Sequence, residues 1–500
     1  MSESVFARAR LATLVHLPGL VLVLALGRFW AFAGINRFGP YDEKRLLEIA
    51  ALAIMVFLAI GLAPARALGT RAVAALSGRL RLALLAVLVL GLASAAMANR
   101  PVWAFADVAL YVAIVCATAI VADLYRLTGP AFARAVPAWF LAAAAVYLVY
   151  FFVVYFAATQ APGLLDSDRA KAIRALILYP NVSNRRFIDQ ILTWTLPLMV
   201  LPLIQASHRG PAVRAGLYLI AAGWWMLLFA SDGRGVAVAI TVGVVAAVLV
   251  MGRDVRRWLL HQAMAAAGGL ALYLIIFVGV APDHGKPLVR VSSGGRFELW
   301  SAALQLMRDH PWLGVGPMQF AARAPVLSAH PHNAVLQWLA EWGIPAALVM
   351  VAIIAMAFAA WVAGCRTSAR DSDGFAGSAV RSALTAALAG AAMHAMVSGI
   401  VVMPLSQLLL IMIAGWAWGV HLESRAVAEM PQRGRRPLVP LVGILAVGVL
   451  VVTAWHHLPP PPEPWRADLA GPKADQPRFW LQGRLVAVQS SPDERGEEQR

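Results

Sequence analysis

The chain has 500 residues, 60% of them hydrophobic and only 14% charged, and its 42 Lys and Arg against 26 Asp and Glu leave a net charge of +16. Soluble domains carry about 25% charged residues, so a soluble globular protein is excluded; the apolar runs are continuous rather than alternating, which excludes a β-barrel. The fold class expected is an all-α polytopic membrane protein with about 12–13 transmembrane helices, each needing about 20 apolar residues, and an outer loop region carrying short helices. The positive charge suits loops against anionic lipid, or an anionic substrate. The arginines are scattered between spans, which argues against nucleic acid as a partner.

In chain order, the basic N-terminal segment before the apolar run from Leu11 reads as a retained first span, since no small-x-small cleavage site follows. Spans are expected at about 11–33, 46–64, 82–98, 102–122, 135–157, 187–205, 214–230, 235–251, 258–280, 334–362, 382–402, 404–421 and 437–455, with boundary errors of roughly 2–4 residues. With the N-terminus inside, the inside loops hold Arg66 and Arg71, Arg126 and Arg134, Arg253 and Arg256, Arg366 and Arg370, and Arg433 and Arg435, as the positive-inside bias requires. Three outside segments (36–45, 160–186 and 283–333) keep basic residues on the wrong side and need a reason. Cys116 and Cys365 lie in or at the end of apolar runs, so neither a disulfide nor a cysteine metal site is expected. The segment after residue 455 opens with Pro459–Pro462 and ends in a charged run, and it reads as extended or disordered.

The island from Gly294 to Gly343 is the candidate for chemistry, because ionisable groups held against a bilayer are costly unless they act. Phe297, Trp300, Leu304 and Met307 share one helical face, so a short surface helix is expected between the Gly294-Gly295 pair and Pro311, followed by a turn at Gly314–Pro317. His332, with Asn333 beside it, sits at the mouth of the span near residue 334; its ring can accept a proton from a hydroxyl, or hold a phosphate oxygen if protonated, and the plainer reading is an interfacial residue capping that helix. His330 adds support. Arg234, in the tight outer turn Ser231-Asp232-Gly233-Arg234-Gly235, suits two-pronged phosphate binding, against the plainer reading of a snorkelling side chain. Arg296 follows Gly294-Gly295 and could instead pair with Glu298. Arg185 and Arg186 extend an anionic groove or anchor to lipid. Glu341 pairs with an arginine or balances buried charge. The chain has no HExxH and no phosphate loop, and Asp166-Ser167-Asp168 reads as solvated loop. No metal and no cofactor are expected.

Arg296–Trp300 (RFELW), Asp309–Gly316 (DHPWLGVG) and His330–Gly343 (HPHNAVLQWLAEWG) resemble the signature of the bacterial O-antigen ligase superfamily, which also holds O-oligosaccharyltransferases and O-antigen polymerases. The Ser231–Gly235 turn is similar to its Ser-Arg-Gly turn, and Ser183–Leu198 to its Asn-Arg segment before a span. The ordered match covers residues 180–350; the ligase pattern is met at His332, Asn333 and Gly343 and departs at Ala346. The resemblance implies a metal-independent transferase acting on a lipid-linked glycan. The donor would be a glycan on undecaprenyl diphosphate, the acceptor a hydroxyl of lipid A–core, and the place the periplasmic face of the inner membrane. Its alternatives are protein O-oligosaccharyltransferase and O-antigen polymerase, with a transporter of the same lipid as a further rival. His332 would be the catalytic residue, and Arg234, Arg296 and Arg186 would bind the diphosphate. His330, Asn333, Arg185 and Glu341 would support them. The domain expectation is a membrane domain over residues 1–455 with a periplasmic catalytic loop at 282–333, then the tail 456–500.

Overall fold

The computed structural model describes residues 15–16, 19–26, 40–61, 68–159, 182, 184–206, 208–231, 233–279, 295–323, 328–368, 377–424, 437–458 and 479–480. His284, Asp166-Ser167-Asp168, Asp232, Ser183, Gly294 and most of the tail lie outside them. Among the described residues every element is helical: α1 (Pro40–Gly61), α2 (Gly78–Ala96), α3 (Pro101–Thr128), α4 (Pro130–Thr159), α5 (Arg185–Thr195), α6 (Pro211–Ala230), α7 (Arg234–Met251), α8 (Arg256–Tyr273), α9 (Arg296–Asp309), α10 (Ala334–Ser368), α11 (Ser378–His394), α12 (Pro404–Ser424) and α13 (Leu438–His456), with short turns of helix between. Nine runs among the described residues are long and apolar enough to cross a bilayer. The protein is an all-α polytopic membrane protein.

The difference from thirteen expected spans has local causes. The expected pair 235–251 and 258–280 forms one continuous apolar run, Arg234–Phe277, which turns at Gly252 with φ 58° between α7 and α8. α1 is interrupted in composition by Asp42, Glu43, Lys44, Arg45 and Glu48. α11 has 17 residues and ends at His394, well short of the expected 402; the chain then turns through 395–403 before Pro404. Of the first expected span only 15–16 and 19–26 are described, and both are helical.

Two spans are broken inside the bundle, where freed backbone groups must find partners because lipid offers none. The run after α5 passes through Leu196–Leu198, whose Pro197 interrupts the helix. The carbonyls released there are taken from α8: Gln262 Nε2 donates to the Leu196 and Pro197 oxygens at 2.9 Å each, and Trp258 Nε1 to Pro197 at 2.8 Å. In α10, Gly343 has φ 80° and ψ 169°, a region open essentially to glycine alone. That break leaves two carbonyls facing the 311–316 turn. Val315 N donates to Ala340 O at 2.9 Å, Gly316 N to Glu341 O at 3.0 Å, and Ile344 N donates back to Pro311 O at 2.8 Å. Gly314 (φ 68°) and Gly316 (φ 103°) make the turn tight enough to enter. Ser94 at the end of α2 sits between the two segments of this joint, its hydroxyl within hydrogen-bond distance of Leu313 O and Glu341 O.

The surface helix expected after Gly295 is α9, begun by Gly295 at φ 74°. Its packed face is Leu299, Ala303 and Leu306, against Phe320 and Ala340; Phe297, on the face read from the sequence, is 70% exposed. A second buried cluster lies at the same end of the bundle. Arg45 of α1 pairs with Glu48 and donates to Gln407 Oε1 at 2.7 Å, Val402 O at 2.9 Å and Phe479 O at 3.0 Å. This accounts for one basic residue in the segment 36–45: it is a buried tie. Phe479 and Trp480, the two described residues beyond Leu458, are both buried, and Phe479 packs on Trp103. His457, just after α13, also stacks on Trp103 with centroids 4.9 Å apart. The chain therefore leaves α13 at the end of the bundle where α3 begins.

Candidate functional site

Arg185, Arg186, Arg234 and Arg296 stand at the starts of their helices, and His330, His332 and Asn333 lie just before α10. Asn184 caps α5, accepting from Arg186 N at 3.0 Å, and sets Arg185 and Arg186 on its first turn. Ser231 closes the turn into α7, accepting from Gly233 N at 3.1 Å and donating to Leu228 O at 3.0 Å. A Cβ on Gly233 would lie 2.5 Å from Asp189 Oδ2, so glycine lets this turn cross α5 in contact, and Arg234 opens α7 beside it. Arg296 opens α9. The three arginines converge: burial, then the charges of Arg186 and Arg234, press the pKa of the Arg296 guanidinium below its ordinary value. Arg296 still remains a cation, as arginine does in proteins. Its Nε is buried with no hydrogen-bond partner among the described residues.

His332 closes the other side. It has φ 55°, one of two non-glycine residues among those described with a positive value, and such strain clusters at functional sites. Its neighbours hold it there. His332 N donates to His330 Nδ1 at 3.2 Å, and its Nε2 lies 3.4 Å from Ser328 Oγ. The His330 and His332 rings meet edge-on with centroids 4.2 Å apart. Trp300 of α9 donates to Pro331 O at 3.0 Å, which ties the surface helix to the histidine turn. Asn333 caps α10, accepting from Leu336 N at 3.0 Å, and its amide donates to Met396 O at 3.1 Å. Ala334 N donates to Ala395 O at 2.8 Å. The early end of α11 is thus what seats this turn, and His330 lies over Gly399, where a Cβ would come within 2.5 Å of its ring.

Burial, then the charges of Arg186 and Arg296, lower the His332 pKa to about 4. The imidazole is neutral at neutral pH and can accept a proton. The arrangement joins a neutral base to a cluster of fixed cations, which can hold a polyanion while a proton leaves a hydroxyl.

The structure brings Arg186, Arg234, Arg296, His330, His332 and Asn333 together. Arg185 shares the α5 turn but is not among the charges acting on His332 or Arg296. Glu341 sits elsewhere: it is fully buried one level down α10, accepting from Phe320 N at 3.2 Å and Gln337 Nε2 at 3.5 Å, so it braces the joint under α9. Sequence reading missed His394 at the end of α11, a lone histidine in an apolar run. It is buried and its Nδ1 lies 2.7 Å from Thr193 Oγ1.

The helices and this cluster define a polytopic membrane protein with arginines and histidines gathered at one end of its bundle. Residues 217–351 match the family described as O-antigen ligase. A protein named "O-antigen ligase" from Pseudomonas aeruginosa is 36% identical over 135 residues, which is 26% of this chain and 31% of that relative. The two matches support membership of the O-antigen ligase superfamily. The matched segment contains Arg234, Arg296, His330, His332, Asn333 and Gly343; Arg185, Arg186 and His394 lie outside it.

Proposed function

We propose that this protein transfers a glycan from undecaprenyl diphosphate to a sugar hydroxyl of lipid A–core at the periplasmic face of the inner membrane. The observation that carries the reading is the meeting of three arginines from three separate helix starts with a neutral, strained His332. In the step, the acceptor oxygen attacks the anomeric carbon of the glycan. The bond from that carbon to the diphosphate oxygen breaks, and its electron pair leaves with the diphosphate. His332 takes the hydroxyl proton. Arg186, Arg234 and Arg296 meet the negative charge on the departing group, and fixed cations need no rearrangement to do so. Asn333 and His330 hold His332 in place.

The test is turnover by the purified protein supplied with undecaprenyl-diphosphate glycan and lipid A–core. Glycosylated lipid A–core and released undecaprenyl diphosphate are expected together, and Arg296→Lys should already be impaired, since an ammonium cannot reproduce the planar fork. Failure to turn over with a full-length, folded preparation refutes the ligase reading. In a gene deletion, loss of all capped lipopolysaccharide bands supports it; a single-repeat band means polymerase, and an unchanged ladder with lost glycoproteins means protein transfer.

A further inference from the structure

The far end of the bundle, where α6 and α8 begin, takes no part in the reaction as written. The chain runs up α6, turns at Arg234, returns along α7 and turns again at Gly252, so Pro211 and Arg256 open their helices opposite Arg234. α6 and α8 pack closely. Trp225 Nε1 donates to Gln262 Oε1 at 3.2 Å, and a Cβ on Gly269 would lie 2.5 Å from the Trp225 Cβ. Nearer the far end, the Tyr218 hydroxyl shares a hydrogen bond with His261 Nδ1 and reaches Met264 Sδ at 3.7 Å.

A residue four places earlier on a helix lies on the same face, roughly 6 Å nearer its start. Tyr218 and His261 touch, so Arg214 and Arg257, each four places before one of them, stand one turn further out, astride the same seam. Both arginines are exposed, and neither forms an ion pair among the described residues. Arg257 Nη2 donates to Ile204 O at 3.3 Å, and both charges act on the His261 ring. The segments that meet here, 206–214 and 252–257, hold Arg209, Arg214, Arg253, Arg256 and Arg257 against one acid, Asp254.

Inward along the seam the chemistry changes in a fixed order over about 10 Å of helix. Two guanidinium groups come first, then half-buried Tyr218 and His261, then Met264, which is 49% exposed. A phospholipid has the same order: phosphate, polar glycerol esters, acyl chain. A lone snorkelling arginine selects no particular lipid, whereas two on one seam can grip one phosphate from both sides. We infer that the α6–α8 seam binds one anionic phospholipid, its phosphate between Arg214 and Arg257, its glycerol region against Tyr218 and His261, and an acyl chain along Met264.

The test is a titration of the purified protein in neutral detergent with phosphatidylglycerol or with phosphatidylcholine of the same chains, bound lipids being counted by native mass spectrometry. One phosphatidylglycerol should bind more tightly than phosphatidylcholine. A basic residue near anionic lipid contributes about fivefold in affinity. Arg214→Gln with Arg257→Gln should therefore weaken phosphatidylglycerol by roughly 25-fold and leave phosphatidylcholine unchanged. Arg79→Gln with Arg81→Gln removes the same charge from the start of α2, at the same end but away from the seam, and should leave both affinities as they were. Equal loss in the two double variants means diffuse surface charge and overturns the inference. Full competition by glycerol 3-phosphate, which has no acyl chain, overturns it too, since the seam would then hold a free phosphate ester. Should the double variant fail to accumulate, Arg214→Gln alone should weaken phosphatidylglycerol about fivefold, and an unchanged affinity refutes the site.

Discussion

The sharpest consequence of the site concerns pH. An ordinary histidine titrates near 6.5, whereas burial and the two arginines hold His332 down to about 4. The sign matters: a lowered value keeps the ring neutral, and able to take a proton, further into acid. At pH 5.5 an unshifted ring would be only about 10% neutral, and one with the lowered value about 97% neutral, by the one-unit-per-decade rule of titration. The measurement is kcat/KM for the lipid-linked donor from pH 8 to 4.5, because that quantity reports groups of the free enzyme. Between pH 7.5 and 5.5 it should change by less than about twofold, where an ordinary histidine would give a fall of roughly tenfold. Arg186→Gln removes one of the charges that lower the value, so its acid limb should move to higher pH. His332→Ala should lose on the order of 100- to 10,000-fold at all pH values while inserting normally, the usual range for a general base. An acid limb centred at 6 or above would refute the assignment. Activity that rises as pH falls would mean an imidazolium gripping phosphate instead.

Gly343→Ala should strike the joint between α10 and the 311–316 turn, since its Cβ would run into the Trp312 carbonyl at a backbone angle alanine avoids; strain of about 1–3 kcal/mol should lower the melting temperature in detergent, and an unchanged melt would contradict the joint. Arg45→Met should destabilise by about 3–5 kcal/mol by stranding Glu48, with much of the loss recovered by adding Glu48→Gln in the same melting assay; no recovery would mean the ion pair is not the reason. Phe479→Ala, which empties a fully buried position, should cost about 3–5 kcal/mol, read as a lower melting temperature, and a silent result would show that the tail contact contributes nothing.

Much of the site was legible because its parts lie in short motifs. His332 and Asn333 announce themselves at a span mouth, and Arg234 and Arg296 each follow glycines on what sequence places outside. What their neighbourhood does to them was not legible. The burial and the arginine charges that lower the His332 pKa come from segments far apart in the chain, and no local motif announces them. Glu341 reads from the sequence as a buried charge-balancing residue or an arginine partner, and its hydrogen bonds from Phe320 N and Gln337 Nε2 depend on the fold. His394 carries no local signal, since its partner Thr193 lies on α5. The span at 382–402 was overextended because hydropathy does not register that carbonyls 395 and 396 are spoken for by Ala334 and Asn333. Arg45 looked like a topological anomaly, and its explanation sits 434 residues away at Phe479.

The stacking of His457 on Trp103 has a practical use. Because the chain emerges from its last helix at the end of the bundle that carries the arginines, a reporter fused after Leu458 would occupy the same compartment as the reacting groups. Alkaline phosphatase, which folds only in an oxidising compartment, and a fluorescent protein that matures in the cytosol would then give opposite readings at one fusion point. That pair of fusions locates the arginine cluster relative to the bilayer without touching a loop between the helices.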